Sequence, residues 1–84
     1  MSDDTIRETV LRLLGEVAPE MDASAIDPKL RLRDQIDIDS MDALNFLISV
    51  DAEWHLDIPE ADYPKLTTLE NIVEYIEAGL AAHR

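Results

Sequence analysis

The sequence predicts an all-α domain: a bundle of three main helices and one short helix, with a long loop between the first and second main helices. Three observations carry this. Three segments repeat apolar residues three and four positions apart, the period of a helix face. Only Leu30-Arg31-Leu32-Arg33 alternates as a strand does, and so short a run with no partner strand elsewhere does not make a sheet. The chain has 84 residues, which suits one domain over 1–84 and leaves no room for a second core.

The first helix is expected to begin after Asp3 or Asp4, either of which could cap the free amides of an opening turn. Ile6, Val10, Leu13, Leu14 and Val17 then share one face, with Leu11 beside them. Pro19 disfavours helical geometry at Ala18, so the helix stops there. Residues 18–38 follow no single period and hold two prolines. They read as a long loop pinned to the core by Met21, Ile26, Leu30, Leu32 and Ile36, and loops of this length in small domains are often functional.

The second helix is expected from about Ser40 to Trp54, with Asp39 as its cap. Between it and the last helix lies Ile58-Pro59-Glu60-Ala61-Asp62-Tyr63-Pro64, where prolines at both ends permit only a turn or two. Thr67-Thr68-Leu69-Glu70 matches a capping box, with the threonine oxygen and the glutamate satisfying each other's backbone amides. Leu69, Ile72, Val73, Ile76 and Leu80 supply the stripe of the last helix.

Composition excludes several functions. Nineteen acids against 7 Lys and Arg give a net charge of −12, which opposes nucleic acid and anionic membrane alike. The same charge favours encounter with basic protein surfaces. An apolar content of 46% speaks against disorder. No cysteine is present, so disulfides, thiolate zinc sites and a cysteine nucleophile are ruled out. The acidic start Met1-Ser2-Asp3-Asp4 lacks the basic and apolar regions of a secretory signal, and no apolar run approaches the roughly 20 residues that span a bilayer. A cytoplasmic location and no membrane insertion are the expectation.

The second helix carries more apolar surface than a core needs. Advancing about 100° per residue from Met41 brings Ala43, Phe46, Leu47, Val50 and Trp54 together as the core face. A second stripe gathers Met41, Leu44, Ile48 and Ala52, bordered by Asp51 on one side and by Asn45, Ser49 and Asp42 on the other. Two readings stand here: the preceding loop folds over part of this stripe, or the stripe is a contact strip for a partner with an apolar centre and a basic rim. Charge bears on the choice. From Asp34 to Pro64 there are nine acids (34, 37, 39, 42, 51, 53, 57, 60 and 62) and no Lys or Arg. Lys29, Arg31 and Arg33 form the only basic cluster, suited equally to pairing with the acidic body and to a function.

Asp37-Ile38-Asp39-Ser40-Met41-Asp42 ends the long loop and opens the second helix. A helix amino terminus presents unpaired amides and the positive end of the dipole, which favour a nearby phosphate. Ser40 places a hydroxyl at that exposed corner, although Asp39 and Ser40 could equally serve only as capping residues. Nucleophilic catalysis needs an adjacent base, and neither His55 nor His83 stands in an evident triad arrangement. No Gly-x-Ser-x-Gly turn is present. Asp37, Asp39 and Asp42 hint at a calcium loop, but Met41 occupies an oxygen-ligand position and the turn glycine is missing. No catalytic residue and no metal site are expected.

At these residues the chain resembles the acyl carrier protein family over nearly its whole length. The family motif Asp-Ser-Leu at the start of the second helix stands here as Asp39-Ser40-Met41. Around it lie an acid-rich helix ending in Trp54, then Leu56-Asp57-Ile58-Pro59, a proline-flanked segment, and Leu66-Thr67-Thr68-Leu69 leading into Ile72-Val73-Glu74-Tyr75-Ile76. The resemblance implies an acyl-carrier-like bundle and a free-standing monomeric carrier rather than an enzyme. A phosphopantetheinyl transferase would move 4′-phosphopantetheine from coenzyme A onto Ser40, with Asp39 beside the magnesium and phosphates. The thiol of that arm would hold acyl groups as thioesters, supplying a residue type the chain lacks.

The resemblance also implies docking of acyl-activating, condensing or acyl-transfer enzymes through basic patches onto Met41, Asp42, Leu44, Ile48, Asp51 and Glu53. It implies an acyl-chain cavity lined by Phe46, Leu47, Val50 and Trp54. Met41 for leucine, Ile38 before the aspartate, Asn45 for a frequent glutamate and Trp54 for the usual phenylalanine depart from the family pattern, and suggest a carrier serving one dedicated pathway. Fatty-acid or specialised acyl synthesis is the leading expectation. A carrier of aminoacyl or polyketide intermediates, and an unmodified acidic interaction module, are the alternatives.

Overall fold

The computed structural model describes residues 3–82. Helix α1 spans Asp3–Val17, a single turn α2 spans Leu32–Gln35, α3 spans Ser40–Trp54 and α4 spans Leu69–Ala82. Two 3₁₀ segments, Ala23–Ala25 and Glu60–Lys65, lie in the connections. The three predicted long helices are therefore α1, α3 and α4, and the short proline-flanked helix is the second 3₁₀ segment. The radius of gyration of 11.9 Å matches the roughly 12 Å of a compact domain of this length.

Helix α1 is the hub on which α3 and α4 both pack. Its face of Ile6, Val10, Leu13 and Leu14 is buried, as the spacing predicts. Phe46, Leu47 and Val50 of α3 meet it from one side, and Leu69, Ile72, Val73 and Ile76 of α4 from the other. The helix begins at Asp3, so neither Asp3 nor Asp4 precedes it as a cap, and Asp4 lies in the first turn, where an acid favours the dipole. The capping position itself lies outside the described residues. At the other end the Ala18 amide donates to the Leu14 carbonyl at 3.0 Å and the helix stops before Pro19.

The long loop is more structured than the sequence suggests. Asp22 caps the first 3₁₀ turn by accepting from the Ser24 amide and hydroxyl at 3.0 and 2.7 Å, and these bonds hold its carboxyl below the usual range. Gln35 staples the next stretch: its amide nitrogen donates to the carbonyls of Asp27 and Leu30 at 2.9 and 3.0 Å, and its oxygen accepts from the Asp27 amide at 2.7 Å. Leu32 is buried, and Met21, Ile26 and Ile36 pack against the core as anchors. Leu30 is not an anchor. It ends a turn closed by its own amide on the Asp27 carbonyl, and its side chain is 54% exposed.

The strand-like run Leu30–Arg33 makes one isolated antiparallel bridge, Arg31 to Thr68, and then winds into α2. That bridge changes the start of α4. The cap is Thr68, whose hydroxyl accepts from the Asn71 amide at 3.0 Å, and the expected box of Thr67 with Glu70 does not form. Thr67 gives its carbonyl to the Leu32 amide, and the Glu70 amide donates to the Pro28 carbonyl. Pairing with the loop thus shifts the cap by one residue.

Helix α3 ends on His55 in the left-handed region, φ 53°, followed by Asp57 at φ 55°. Non-glycine residues adopt this conformation at a cost. Two bonds offset it: the amides of Asp57 and Ile58 donate to the two Asp51 carboxylate oxygens, each at 3.1 Å. The chain then reaches Leu56 and Ile58, both buried. Gly79 of α4 permits the approach of Leu56, since a Cβ there would stand 2.9 Å from Leu56 Cδ2.

Candidate functional site

Ser40 is the first residue of α3, and the loop delivers it there through a reciprocal cap. Asp39 Oδ1 accepts from the Asp42 amide at 2.8 Å, and Asp42 Oδ2 accepts from the Asp39 amide at 3.5 Å. This is a capping box with aspartate in place of the usual glutamate. It leaves Ser40 exposed, its hydroxyl making no hydrogen bond to a described residue, and Asp39 Oδ2 equally unused. His55 lies beyond the opposite end of the helix, about 22 Å away by the helical rise. No described side chain or backbone group accepts from or donates to that hydroxyl, and His55 is out of its reach. His83, the other histidine, lies outside the described residues. Among the described residues no group of three or more His, Asp or Glu could hold a metal ion, and Asp39 and Asp42 are joined to each other in the capping box.

Ser40 stands on the edge of an open groove of about 630 Å³. Ala43, Leu44, Phe46 and Leu47 of α3 form one wall, and Tyr63, Pro64 and Leu66 form the opposite wall. Leu32 and Ile38 come from the long loop, with Arg31, Arg33, Asp34 and Thr67 completing the lining. Of the four expected cavity residues, Phe46 and Leu47 belong to this groove and Val50 and Trp54 do not. Val50 is 1% exposed and closed in by the core, and half-buried Trp54 packs on the core near the far end of α3. The groove samples only the amino-terminal half of the helix. Leu32, Ile38, Leu44, Tyr63 and Leu66 escaped sequence reasoning because their meeting depends on how the loop and the 3₁₀ segment pack.

The second apolar stripe is uncovered. Met41 is 63% exposed, Ile48 52% and Leu44 37%, and Ala52 is exposed as well, so the long loop does not fold over it. The acids read beside it are more engaged than their spacing implies. Asp42 belongs to the capping box, Asp51 holds the turn after α3, and Glu53 accepts from Arg12 Nη2 of α1 at 2.7 Å. Their charge still contributes to the field of this face. Asp37, Asp57 and Glu60 are exposed acids whose carboxylates make no ion pair to a described residue.

One further bond shapes the groove. Tyr75 of α4 donates its hydroxyl to Asp62 Oδ2 at 2.7 Å, and Lys65 donates to Asp62 Oδ1 at 3.3 Å. The tyrosine bond, more than the lysine, holds the Asp62 carboxyl below its usual range, and the same bond together with burial pushes the Tyr75 phenol up to about 12.

Comparison with known proteins agrees with this geometry. The family described as Phosphopantetheine attachment site matches residues 4–76. A protein named acyl carrier protein from Rubrobacter xylanophilus is 26% identical over 73 residues, covering 83% of this chain and 90% of its own. Acyl carrier proteins of Helicobacter hepaticus and Rickettsia canadensis are 28% and 26% identical, covering 70% and 88% of this chain and 78% and 85% of theirs. Among the described residues no helix is long and apolar enough to cross a membrane. A match over most of the length, on a helical bundle that presents a free serine beside an apolar groove, places the chain in the phosphopantetheine-attachment family of the acyl carrier proteins.

Proposed function

We propose that this chain, acting as one monomeric carrier domain over 1–84, receives 4′-phosphopantetheine on Ser40 and carries acyl intermediates between enzymes of fatty-acid or a specialised acyl synthesis. The observation that supports it most directly is the exposed, unbonded hydroxyl at the capped start of α3, opening on an apolar groove. The arm supplies a thiol on which acyl groups ride as thioesters, chemistry that no side chain of this cysteine-free chain provides. Ser40 Oγ would lose its proton and form the new P–O bond to the arm's phosphate as the pyrophosphate bond of coenzyme A breaks and adenosine 3′,5′-bisphosphate leaves. Asp39 Oδ1 fixes the helix start, and its other carboxylate oxygen would be available to the magnesium that accompanies transfer, which would offset the charge of the phosphates. In this reading the chain holds cargo and leaves catalysis to its partner enzymes.

Docking of the phosphopantetheinyl transferase and of acyl-activating, condensing or acyl-transfer enzymes falls to the exposed stripe of Met41, Leu44 and Ile48. Asp42, Asp51 and Glu53 add an acidic border that steers basic partners. Intact mass spectrometry after incubation with coenzyme A and a broad-specificity transferase tests the reading. One added arm, absent in Ser40→Ala, is the expected outcome. An unchanged mass with the transferase active on a control carrier overturns it and leaves an acidic interaction module. Loading by an amino-acid-activating enzyme or a polyketide acyltransferase would move the cargo to those classes.

A further inference from the structure

Resting on the carrier reading, we propose that Arg33 is a positioning residue that takes the phosphodiester of the arm on Ser40 and draws the arm across the groove, away from the acids around the serine. The groove has three charged lining residues, Arg31, Arg33 and Asp34. Arg31 Nε pairs with Asp34 Oδ2 at 3.1 Å, so these two neutralise each other. Arg33 makes no ion pair or side-chain hydrogen bond to a described residue. In a chain of net charge −12, an unmatched cation lining the groove that also takes in Ser40 is the feature that needs an anion.

The serine corner supplies the opposite pressure. Asp37, Asp39 and Asp42 surround the attachment point in sequence, and the amide of Asp42 that a phosphate could use is already occupied by Asp39 Oδ1. A phosphodiester on Ser40 Oγ therefore sits among acids, and the cation without an ion pair that lines the same groove is Arg33. Guanidinium groups suit phosphate oxygens through paired N–H donors. The pairing is exposed, so it biases the arm's direction rather than fixing it, and salt should weaken it.

The test compares apo and holo protein by NMR, after mass spectrometry has shown the arm in place, so that a failure of loading is separated from a failure of this proposal. Expected on loading is a shift of the Arg33 Nε–Hε resonance, with movement of the Leu44 and Leu66 methyls of the groove, both shrinking at high salt. In holo Arg33→Gln the methyl shifts and the ³¹P position of the arm should revert toward free phosphopantetheine. Arg33→Lys should recover part of them, and Lys29→Gln, an exposed cation outside the groove, should change nothing. Identical loading shifts in wild type and Arg33→Gln overturn the proposal. So does an Arg33 resonance that stays still with the bare arm or a butyryl cargo and moves only with a succinyl cargo, which reassigns the residue to a carboxylate on the carried group.

Discussion

The Tyr75 hydroxyl and the Asp62 carboxylate, 2.7 Å apart, join the last helix to the 3₁₀ segment that forms a wall of the groove beside Ser40. No other side-chain hydrogen bond described above ties that segment to α4. Tyr75→Phe should lower Tm by roughly 4 °C and speed amide exchange in Glu60–Lys65 more than in α1. The pH signs follow from the two shifts. The lowered Asp62 pKa gives stability present above its unfolded value and lost as acid protonates it in the fold. The raised Tyr75 pKa gives stability present below about pH 10 and lost as pH climbs through about 12. Ultraviolet titration of the phenols should show a late component that Tyr75→Phe removes.

Asp51 has a structural role, whatever it adds to the proposed docking face. Asp51→Ala leaves the Asp57 and Ile58 amides without their acceptor, just where the backbone holds two left-handed residues. Denaturant unfolding should show a loss of about 1–3 kcal/mol, with Asp51→Asn intermediate because one acceptor oxygen remains. A stability equal to wild type in Asp51→Ala would contradict this role.

Gln35 holds the long loop through three bonds to Asp27 and Leu30. Gln35→Ala should cost about 1–2 kcal/mol and raise exchange at the Asp27 amide. Gln35→Glu keeps the acceptor and loses both donors, so it should recover little. Equal stability of all three proteins would show that the loop is held by its apolar anchors alone.

Ile48 separates docking from folding because its side chain is half exposed and outside the core. Ile48→Asp should leave Tm nearly unchanged and weaken binding to the transferase by about tenfold, the scale of a central apolar contact. Surface plasmon resonance measures it, and unaltered affinity would move the recognition surface elsewhere.

Arg12 pairs with Glu53, one of the acids proposed for docking. Its guanidinium holds Glu53 at 2.7 Å and also reaches Glu16 at 3.6 Å, in a pair whose side chains remain well exposed. Arg12→Gln should cost about 0.5 kcal/mol at most, yet free Glu53 and increase the rate of association with a basic partner at low salt. Stopped-flow association at two ionic strengths distinguishes this from a purely structural pair, for which the rate would not rise.

Helix bounds were legible where a local rule decided them. Asp39 before an apolar run marks the start of α3, Pro19 marks the end of α1, and the three- and four-residue spacings pick out Ile6, Val10, Leu13 and Leu14 as core. Local rules failed where a distant segment chose between neighbours. Thr67 and Thr68 both satisfy the capping pattern, and the bridge to Arg31 selects Thr68. The first 3₁₀ turn and α2 are too short to show a period. The site divides the same way: the serine, its cap and the uncovered stripe follow from one helix, whereas the groove needs the loop and the 3₁₀ segment folded against it. Spacing also cannot reveal that Asp51 and Glu53 are engaged, since their partners are backbone amides beyond the helix end and a residue of another helix.

The central position of α1 separates two properties that small domains usually couple. Because α3 and α4 are each packed on the same helix, the core they share with it is centred on α1, whereas the walls of the groove come from α3, the long loop and the 3₁₀ segment. Stability is then invested in Ile6, Val10 and Leu14, while Leu44 lines the groove from outside that core. A substitution at exposed Leu44 should therefore reshape the groove at little cost to the fold, whereas one at buried Leu66 should cost stability as well.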